Sequence, residues 1–195
     1  MKQEAIANHP SLEHVCEHPQ LEFFNKYRSD CNVFLETGTA EGFSVYRALV
    51  LGFEKILSID CEKKFVDSAM QEYADEVNAG QVFLYEGFSG ERLSEMCENI
   101  EESDRCFFWL DAHTMDGAHT VSTENEVPIF KELEIIRELG RKNDIIMIDD
   151  VALFYRDKLE PLVEMLHSIN PEYKLMFDDM HNRGPYVLIA TTEDV

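Results

Sequence analysis

The chain has few basic residues, no paired cysteines and no long apolar run, and each shortage excludes a class of protein. Its 195 residues include 17 Lys and Arg against 39 Asp and Glu, a formal net charge of −22. Nucleic acids and anionic membrane surfaces are bound mainly through Lys and Arg, so neither is an expected partner. The five cysteines form no CxxC pair, which argues against a disulfide framework or a zinc ribbon. No apolar run approaches the ~20 residues that cross a bilayer, and we expect a cytoplasmic protein.

Short apolar runs alternate with longer amphipathic stretches from about residue 33 onward. Runs that are apolar at consecutive positions are typical of parallel strands covered on both faces. The predicted strands are residues 33–35, 56–59, 82–85, 106–110, 145–148, 173–177 and 186–190. The predicted helices are residues 43–51, 62–79, 89–100, 126–139 and 156–168. This alternation predicts an α/β fold with a doubly wound, Rossmann-like sheet.

Two connections depart from this alternation. The stretch between the last two predicted strands is rich in turn-forming residues and too short for a crossover helix, which predicts a C-terminal antiparallel hairpin. Residues 112–128 form a long polar stretch, as binding loops often do. We expect one domain over residues 31–195, with residues 1–30 as a helical extension packed on its edge.

The first predicted strand runs into a glycine-containing turn that opens a helix. This segment reads Glu36-Thr-Gly38-Thr-Ala-Glu-Gly42-Phe-Ser44. Glycines let the backbone approach a ligand closely, and a helix N-terminus offers free N–H groups. A tight turn without a ligand is the alternative interpretation. The TGxxxG spelling also opens short-chain dehydrogenases, but the chain contains no YxxxK motif, which argues against an NAD(P)-dependent oxidoreductase.

An acidic residue ends the second predicted strand. Asp60 follows the glycine turn by about 20 residues, the position from which a carboxylate accepts hydrogen bonds from both hydroxyls of a ribose. The alternative is that Asp60 caps the helix that begins near Glu62. The spacing relative to the glycine turn favours the ribose role.

Three further carboxylates follow the fourth and fifth predicted strands: Asp111, and the pair Asp149 and Asp150. The carboxyl ends of parallel strands meet at one edge, so these side chains should converge there. Like charges at such a site repel unless a cation lies between them. All-oxygen ligands suit Mg²⁺, Mn²⁺ or Ca²⁺ better than Zn²⁺. Helix capping by one member of the pair is the alternative.

Taken in order, these segments resemble the class I S-adenosylmethionine-dependent methyltransferases. The resemblance covers roughly residues 30–195 and is closest to the metal-dependent O-methyltransferase group, which includes catechol and sugar O-methyltransferases. It implies a seven-stranded sheet in the order 3-2-1-4-5-7-6, S-adenosylmethionine as cofactor, and Mg²⁺ at the three aspartates. The implied reaction is methyl transfer to a hydroxyl of a small molecule.

The resemblance also implies a role for each motif residue. It assigns Gly38, Gly42 and Ser44 to the methionine portion of the cofactor, Glu36 to support of the loop, Asp60 to the ribose and Ser89 to the adenine edge. Catechol methyltransferases have a basic lysine three residues after the metal-binding aspartate, where this chain has Thr114. His113, two residues after Asp111, is the candidate general base in its place. Weaker candidates are Asp116, His119 and His181.

Two alternatives to this function stay open. One is a non-catalytic nucleotide- or metabolite-binding protein of the same fold, because a fold does not fix a function. The other is the NAD(P)-dependent oxidoreductase. The oligomeric state is also open, with a homodimer among the alternatives. Trp109, within a predicted strand, is expected to belong to the core rather than to a stacking platform.

Overall fold

A computed structural model describes residues 19–112, 128–178 and 187–194, without the side chains at positions 154 and 156. Its centre is a sheet of seven strands. These are β1 (Val33–Thr37), β2 (Lys55–Asp60), β3 (Val82–Glu86), β4 (Cys106–Leu110), β5 (Ile145–Ile148), β6 (Lys174–Asp178) and β7 (Val187–Thr191). Their order is β3-β2-β1-β4-β5-β7-β6. Strands β1 to β5 are parallel, and β7 pairs antiparallel with both β5 and β6. The predicted fold class, strand order and closing hairpin are confirmed.

Helices connect the strands and cover both faces of the sheet. They are α1 (Pro19–Tyr27), α2 (Phe43–Leu51), α3 (Lys63–Glu72), α4 (Ala74–Asn78), α5 (Ser89–Cys97), α6 (Ile129–Glu138), α7 (Val151–Phe154) and α8 (Leu159–Ile169), with a 3₁₀ turn at Arg156–Lys158. Among the helices of these described ranges, none has the length and apolar character that crossing a membrane requires.

The sequence predicted one helix over residues 62–79, but the structure divides it at Tyr73. The Tyr73 backbone leaves the helical conformation, with φ −105° and ψ 30°. Its side chain is buried, and its hydroxyl donates a 2.8 Å hydrogen bond to the carbonyl oxygen of Gly42. The division therefore coincides with a tertiary contact to the glycine turn. The helix predicted over residues 89–100 also ends earlier, at Cys97.

Two apolar cores lie on opposite faces of the sheet. Along β1, Val33 and Leu35 belong to one core and Phe34 to the other, as the alternation of side chains in a strand requires. Residues of α5, α6 and α8 complete the first core, and residues of α1, α2 and α3 complete the second. Every residue of β1, β4 and β7 is buried, which explains why most consecutive positions in these strands are apolar.

Helix α1 packs an aromatic side chain against the centre of the sheet. The Phe24 ring is fully buried, with its centroid 4.9 Å from that of Trp109, 5.4 Å from Phe107 and 5.5 Å from Phe34. Trp109 is also fully buried, which confirms it as a core residue. The predicted boundary between an extension at residues 1–30 and a domain at 31–195 stays a prediction.

Candidate functional site

The glycine turn after β1 lies against the end of β4. Gly38 has φ +95°, and a Cβ on it would come within 2.7 Å of the carbonyl oxygen of Asp111. Gly42 has φ +75° and is the N-cap of α2. A Cβ there would lie 3.1 Å from the Tyr73 ring. Both positions therefore need glycine for their conformation and for close packing, whether or not a ligand is bound.

Asp60 holds the glycine turn against the end of β2. Its Oδ2 accepts the N–H of Ala40 at 2.9 Å, and its Oδ1 accepts the N–H of Glu62 at 2.8 Å. The second contact, to Glu62, is the helix-capping contact that the sequence offered as the alternative to ribose binding. Because each carboxylate oxygen has two lone pairs, these contacts leave acceptor capacity for the hydroxyls of a ligand. The ribose role stays a prediction.

Glu36 is a fully buried acid below the turn. The Ser58 hydroxyl donates to its Oε1 at 2.7 Å, and Thr39 and Ser58 share a hydrogen bond of 2.6 Å. Burial raises the pKa of Glu36 to about 8, although hydrogen bonds from Ser58 and Ser44 and the charge of Arg47 act to lower it. The carboxyl group is therefore largely protonated at neutral pH.

The acids after β4 and β5 lie at the same edge of the sheet. The Asp111 N–H donates to the carbonyl oxygen of Thr37, and the Asp149 N–H to that of Leu110, each at 3.1 Å. Asp149 Oδ1 accepts the N–H of Asp150 at 2.8 Å. Burial raises the pKa of Asp111 well above its usual value, and the charges of Asp149 and Asp150 raise it further. Asp150 has φ +50° as the N-cap of α7, but its side chain makes no cap hydrogen bond there.

The predicted metal centre is not confirmed. Its three carboxylates are the hard oxygen donors that Mg²⁺, Mn²⁺ and Ca²⁺ prefer. Within residues 19–112, 128–178 and 187–194, however, no three His, Cys, Asp or Glu side chains form a group that could hold a metal ion. The candidate base His113 lies outside the described residues, as do Thr114, Asp116, His119 and His181.

A pocket of about 210 Å³ lies where the glycine turn, α1, α2 and the end of β4 meet. Three predicted site residues, Gly38, Ser44 and Asp111, line it. Asp60 is connected to it through Ala40, another lining residue. Ser89 begins α5 after β3, outside the described lining of this pocket.

Outside the predicted glycine-containing segment, sequence reasoning missed two residues that line this pocket, Gln20 and Arg47. The sequence of α2 contained a usable indication, because Arg47 is the single charged residue in the otherwise mostly apolar helix FSVYRALVL. A charge on a buried helix face requires polar partners. Its partner Gln20 comes from α1, about 27 residues away in the chain, and nothing in the local pattern identifies it.

Comparison with known proteins supports the fold at low sequence identity. No family model and no curated protein matches the chain. The O-methyltransferase from Bacillus cereus, solved in complex with S-adenosylhomocysteine (SAH), is 15% identical with a TM-score of 0.60, over 97% of this chain and 90% of that one. A proposed caffeoyl-CoA O-methyltransferase from Staphylococcus aureus is 16% identical with a TM-score of 0.59, over 97% and 91%. A Podospora anserina methyltransferase bound to SAH is 14% identical with a TM-score of 0.58, over 90% and 77%.

These likenesses define a fold class. The sheet order and the closing antiparallel strands are those of the S-adenosylmethionine-dependent methyltransferases, and the structures that match this chain include O-methyltransferases. At 14–16% identity, the likeness identifies the fold and leaves the activity to be argued from the site.

Proposed function

We propose that the protein is an S-adenosylmethionine-dependent methyltransferase that transfers a methyl group to a hydroxyl of a small molecule. The observation that carries this proposal is the location of the pocket. It is lined by Gly38 after β1 and Asp111 after β4, the neighbouring strands between which the order of the sheet reverses. In open α/β sheets, ligands bind outside the carboxyl ends of the strands at this point of reversal.

The arrangement around the pocket supports a nucleoside-containing cofactor. Asp60 lies at the end of β2, next to β1, and holds the turn through the N–H of Ala40. A ribose held by Asp60 would therefore lie beside the glycine turn, with the rest of the cofactor extending towards Asp111. The acidic composition gives no support to a nucleic acid acceptor.

Calorimetric titration with SAH tests the cofactor assignment. We expect SAH to bind the wild-type protein, and Asp60→Ala to weaken binding by at least about tenfold through the loss of charged hydrogen bonds to the ribose. Asp67→Ala removes an exposed aspartate of α3 that pairs with Lys63 and is the matched control. Unchanged SAH affinity in Asp60→Ala would remove the ribose role.

Activity separates the proposed enzyme from its alternatives. Incubation with S-adenosylmethionine and a library of hydroxylated compounds should release SAH and a methylated product. SAH binding without any methyl transfer across the library would favour the non-catalytic binding protein. Binding of NADH in place of SAH, followed by fluorescence, would favour the oxidoreductase.

We further propose that the protein uses a divalent cation, Mg²⁺ or alternatively Mn²⁺ or Ca²⁺, whose binding would draw together Asp111, Asp149 and Asp150. As the structure places them, these three described side chains do not yet form a group that could hold the ion. Their all-oxygen chemistry and their common location at one edge of the sheet support this proposal. Such an ion lowers the pKa of a hydroxyl that it binds. His113 would accept the hydroxyl proton, and the pocket residues would hold the cofactor so that its methyl group faces the acceptor oxygen. Such alignment can contribute ~7–11 kcal/mol to the lowering of a reaction barrier.

Removal of the metal tests this part of the proposal separately. EDTA should abolish methyl transfer reversibly, and Asp150→Asn should do so permanently, while both leave SAH affinity unchanged. His113→Ala should lower turnover with little effect on metal binding. Full activity of metal-free protein in EDTA would discard the metal and leave an acid–base methyltransferase.

A further inference from the structure

A buried cation lines the pocket of this strongly acidic protein. Arg47 is 5% exposed, and its guanidinium donates a hydrogen bond to the side-chain oxygen of Gln20, itself 7% exposed. Both residues line the pocket, Gln20 from α1 and Arg47 from α2. Taking a guanidinium out of water is costly, so a buried one requires compensating polar or charged groups. Gln20 fixes the orientation of this cation at the pocket.

The charge of Arg47 lies over the first turn of α2. Arg47 follows the first residue of α2, Phe43, by one helical turn, and helical side chains point back towards the N-terminus. Its guanidinium carbon is 5.9 Å from the centroid of the Phe43 ring, which also lines the pocket. The N-cap is Gly42, and no described side chain caps this end. The positive end of the helix dipole and the guanidinium therefore both act on the pocket, which Phe43 and Ser44 of the first turn also line.

The lining also carries acidic groups. Glu41 and Asp111 contribute carboxyl groups to the pocket that Arg47 lines. A lining with both signs of charge complements a zwitterion, such as an α-amino acid with its ammonium and carboxylate groups. At about 210 Å³ the pocket is smaller than the ~300–1,000 Å³ of complete small-molecule sites. It therefore fits one end of the cofactor better than the whole molecule.

We infer that Arg47, oriented by Gln20, binds the α-carboxylate of the amino-acid portion of S-adenosylmethionine. This inference rests on the proposed function. It means that Arg47 and Gln20 determine the preference for ligands that carry the amino-acid portion over ligands that lack it. The pocket accordingly selects S-adenosylmethionine and SAH over nucleosides that share the adenosine and the sulfur atom.

The affinities of three ligands isolate the contribution of the α-carboxylate to binding. The ligands are SAH, its decarboxylated form, which keeps the amine, and 5′-methylthioadenosine, which lacks the whole amino-acid end. A charged hydrogen bond of this kind corresponds to about 10- to 100-fold in affinity. The wild-type protein should bind SAH more tightly than decarboxylated SAH by about this factor.

The same ligands test Arg47 in variants of the full chain. Arg47→Met should weaken SAH binding about 10- to 100-fold and leave the affinity for the two carboxylate-free ligands within about threefold. Arg47→Lys keeps the charge and should recover part of the loss. Gln20→Leu, which removes the orienting group, should lower the preference for SAH by a smaller factor. Arg137→Met removes a partly exposed arginine of α6 as the control for net charge.

The outcomes distinguish this inference from the proposed function. If the wild-type protein binds neither SAH nor 5′-methylthioadenosine, the proposed function fails and the inference fails with it. If SAH binds but Arg47→Met and Arg47→Lys keep the wild-type ratio of affinities, only the inference is overturned. An equal loss of all three ligands in both variants would assign Arg47 to folding alone and would also overturn it.

Discussion

At the scale of single residues, Glu36 is the group whose protonation is coupled to folding. It is fully buried, and burial raises its pKa to about 8 from a usual value of 4.5. At low pH the carboxyl is neutral in both the folded and the unfolded chain. As the pH rises from 4.5 towards 8, the unfolded chain loses this proton first, so the free energy of unfolding falls.

Glu36→Gln should remove this fall in the free energy of unfolding with rising pH, because an amide does not ionise in this range. Relative to wild type, the free energy of unfolding of Glu36→Gln should rise between pH 5.5 and 9, by about 3 kcal/mol. Urea unfolding across this range measures the difference. Glu91→Gln, at an exposed position of α5, should show no such trend. A difference for Glu36→Gln that is constant with pH would contradict the raised pKa.

Some residues of the site could be predicted from the sequence and others could not. Glu36, Gly38 and Asp60 could be selected from the sequence, because each ends a strand or begins a turn at a recognisable spacing. Arg47 and Gln20 could not be paired in advance, since their contact depends on how α1 packs against α2. The glycines were predicted for close approach to a ligand, whereas Gly38 already approaches the backbone of Asp111, directly after β4.

At the scale of elements, α1 connects the pocket with the core. The helix contributes Gln20 to the pocket and buries Phe24 against Phe34, Phe107 and Trp109. The pattern of residues 19–27 is short and gave no precise boundary in the sequence. The fixed positions of these aromatic rings against the sheet determine where α1 lies.

Phe24→Ala should lower the free energy of unfolding by about 3–5 kcal/mol, because it leaves a cavity beside the sheet. The control is Phe177→Ala in β6, where the side chain is 45% exposed and the cost should stay below about 1 kcal/mol. Urea midpoints at constant slope measure both changes. If Phe24→Ala lowered the free energy of unfolding as little as Phe177→Ala does, α1 would contribute little to the core.

The elements that were predicted with the bounds of the structure include α2 and two continuously buried strands. Residues 106–110 and 145–148 were predicted as strands with the bounds that the structure has. Helix bounds were less accurate where a tertiary contact intervenes. Tyr73 divides a predicted helix at its hydrogen bond to Gly42, a residue 31 positions away in the chain.

At the scale of the whole molecule, the net charge of −22 opposes the compact state through repulsion between carboxylates. Salt weakens this repulsion but also weakens ion pairs such as Lys63–Asp67 and Arg92–Glu95. Exposed pairs of this kind contribute only about 0–1 kcal/mol each. The repulsion acts on the whole surface, and its screening should therefore be the larger effect.

Raising NaCl from about 0.01 M to 0.15 M shortens the Debye length from about 30 Å to about 8 Å. We expect the urea midpoint to rise over this range. KCl at the same ionic strength should give the same increase, which controls for effects specific to one cation. A falling midpoint would show that ion pairs outweigh the repulsion.

The position of β7 between β5 and β6 has a consequence for synthesis of the chain. β6 precedes β7 in the sequence, yet among the described strands it pairs with β7 alone. On the ribosome, β6 therefore cannot join the sheet until residues 187–191 have emerged, and the edge of β5 stays open until then. Open strand edges invite pairing with other chains. A nascent chain released before β7 would thus lose two strands of the sheet and expose a third.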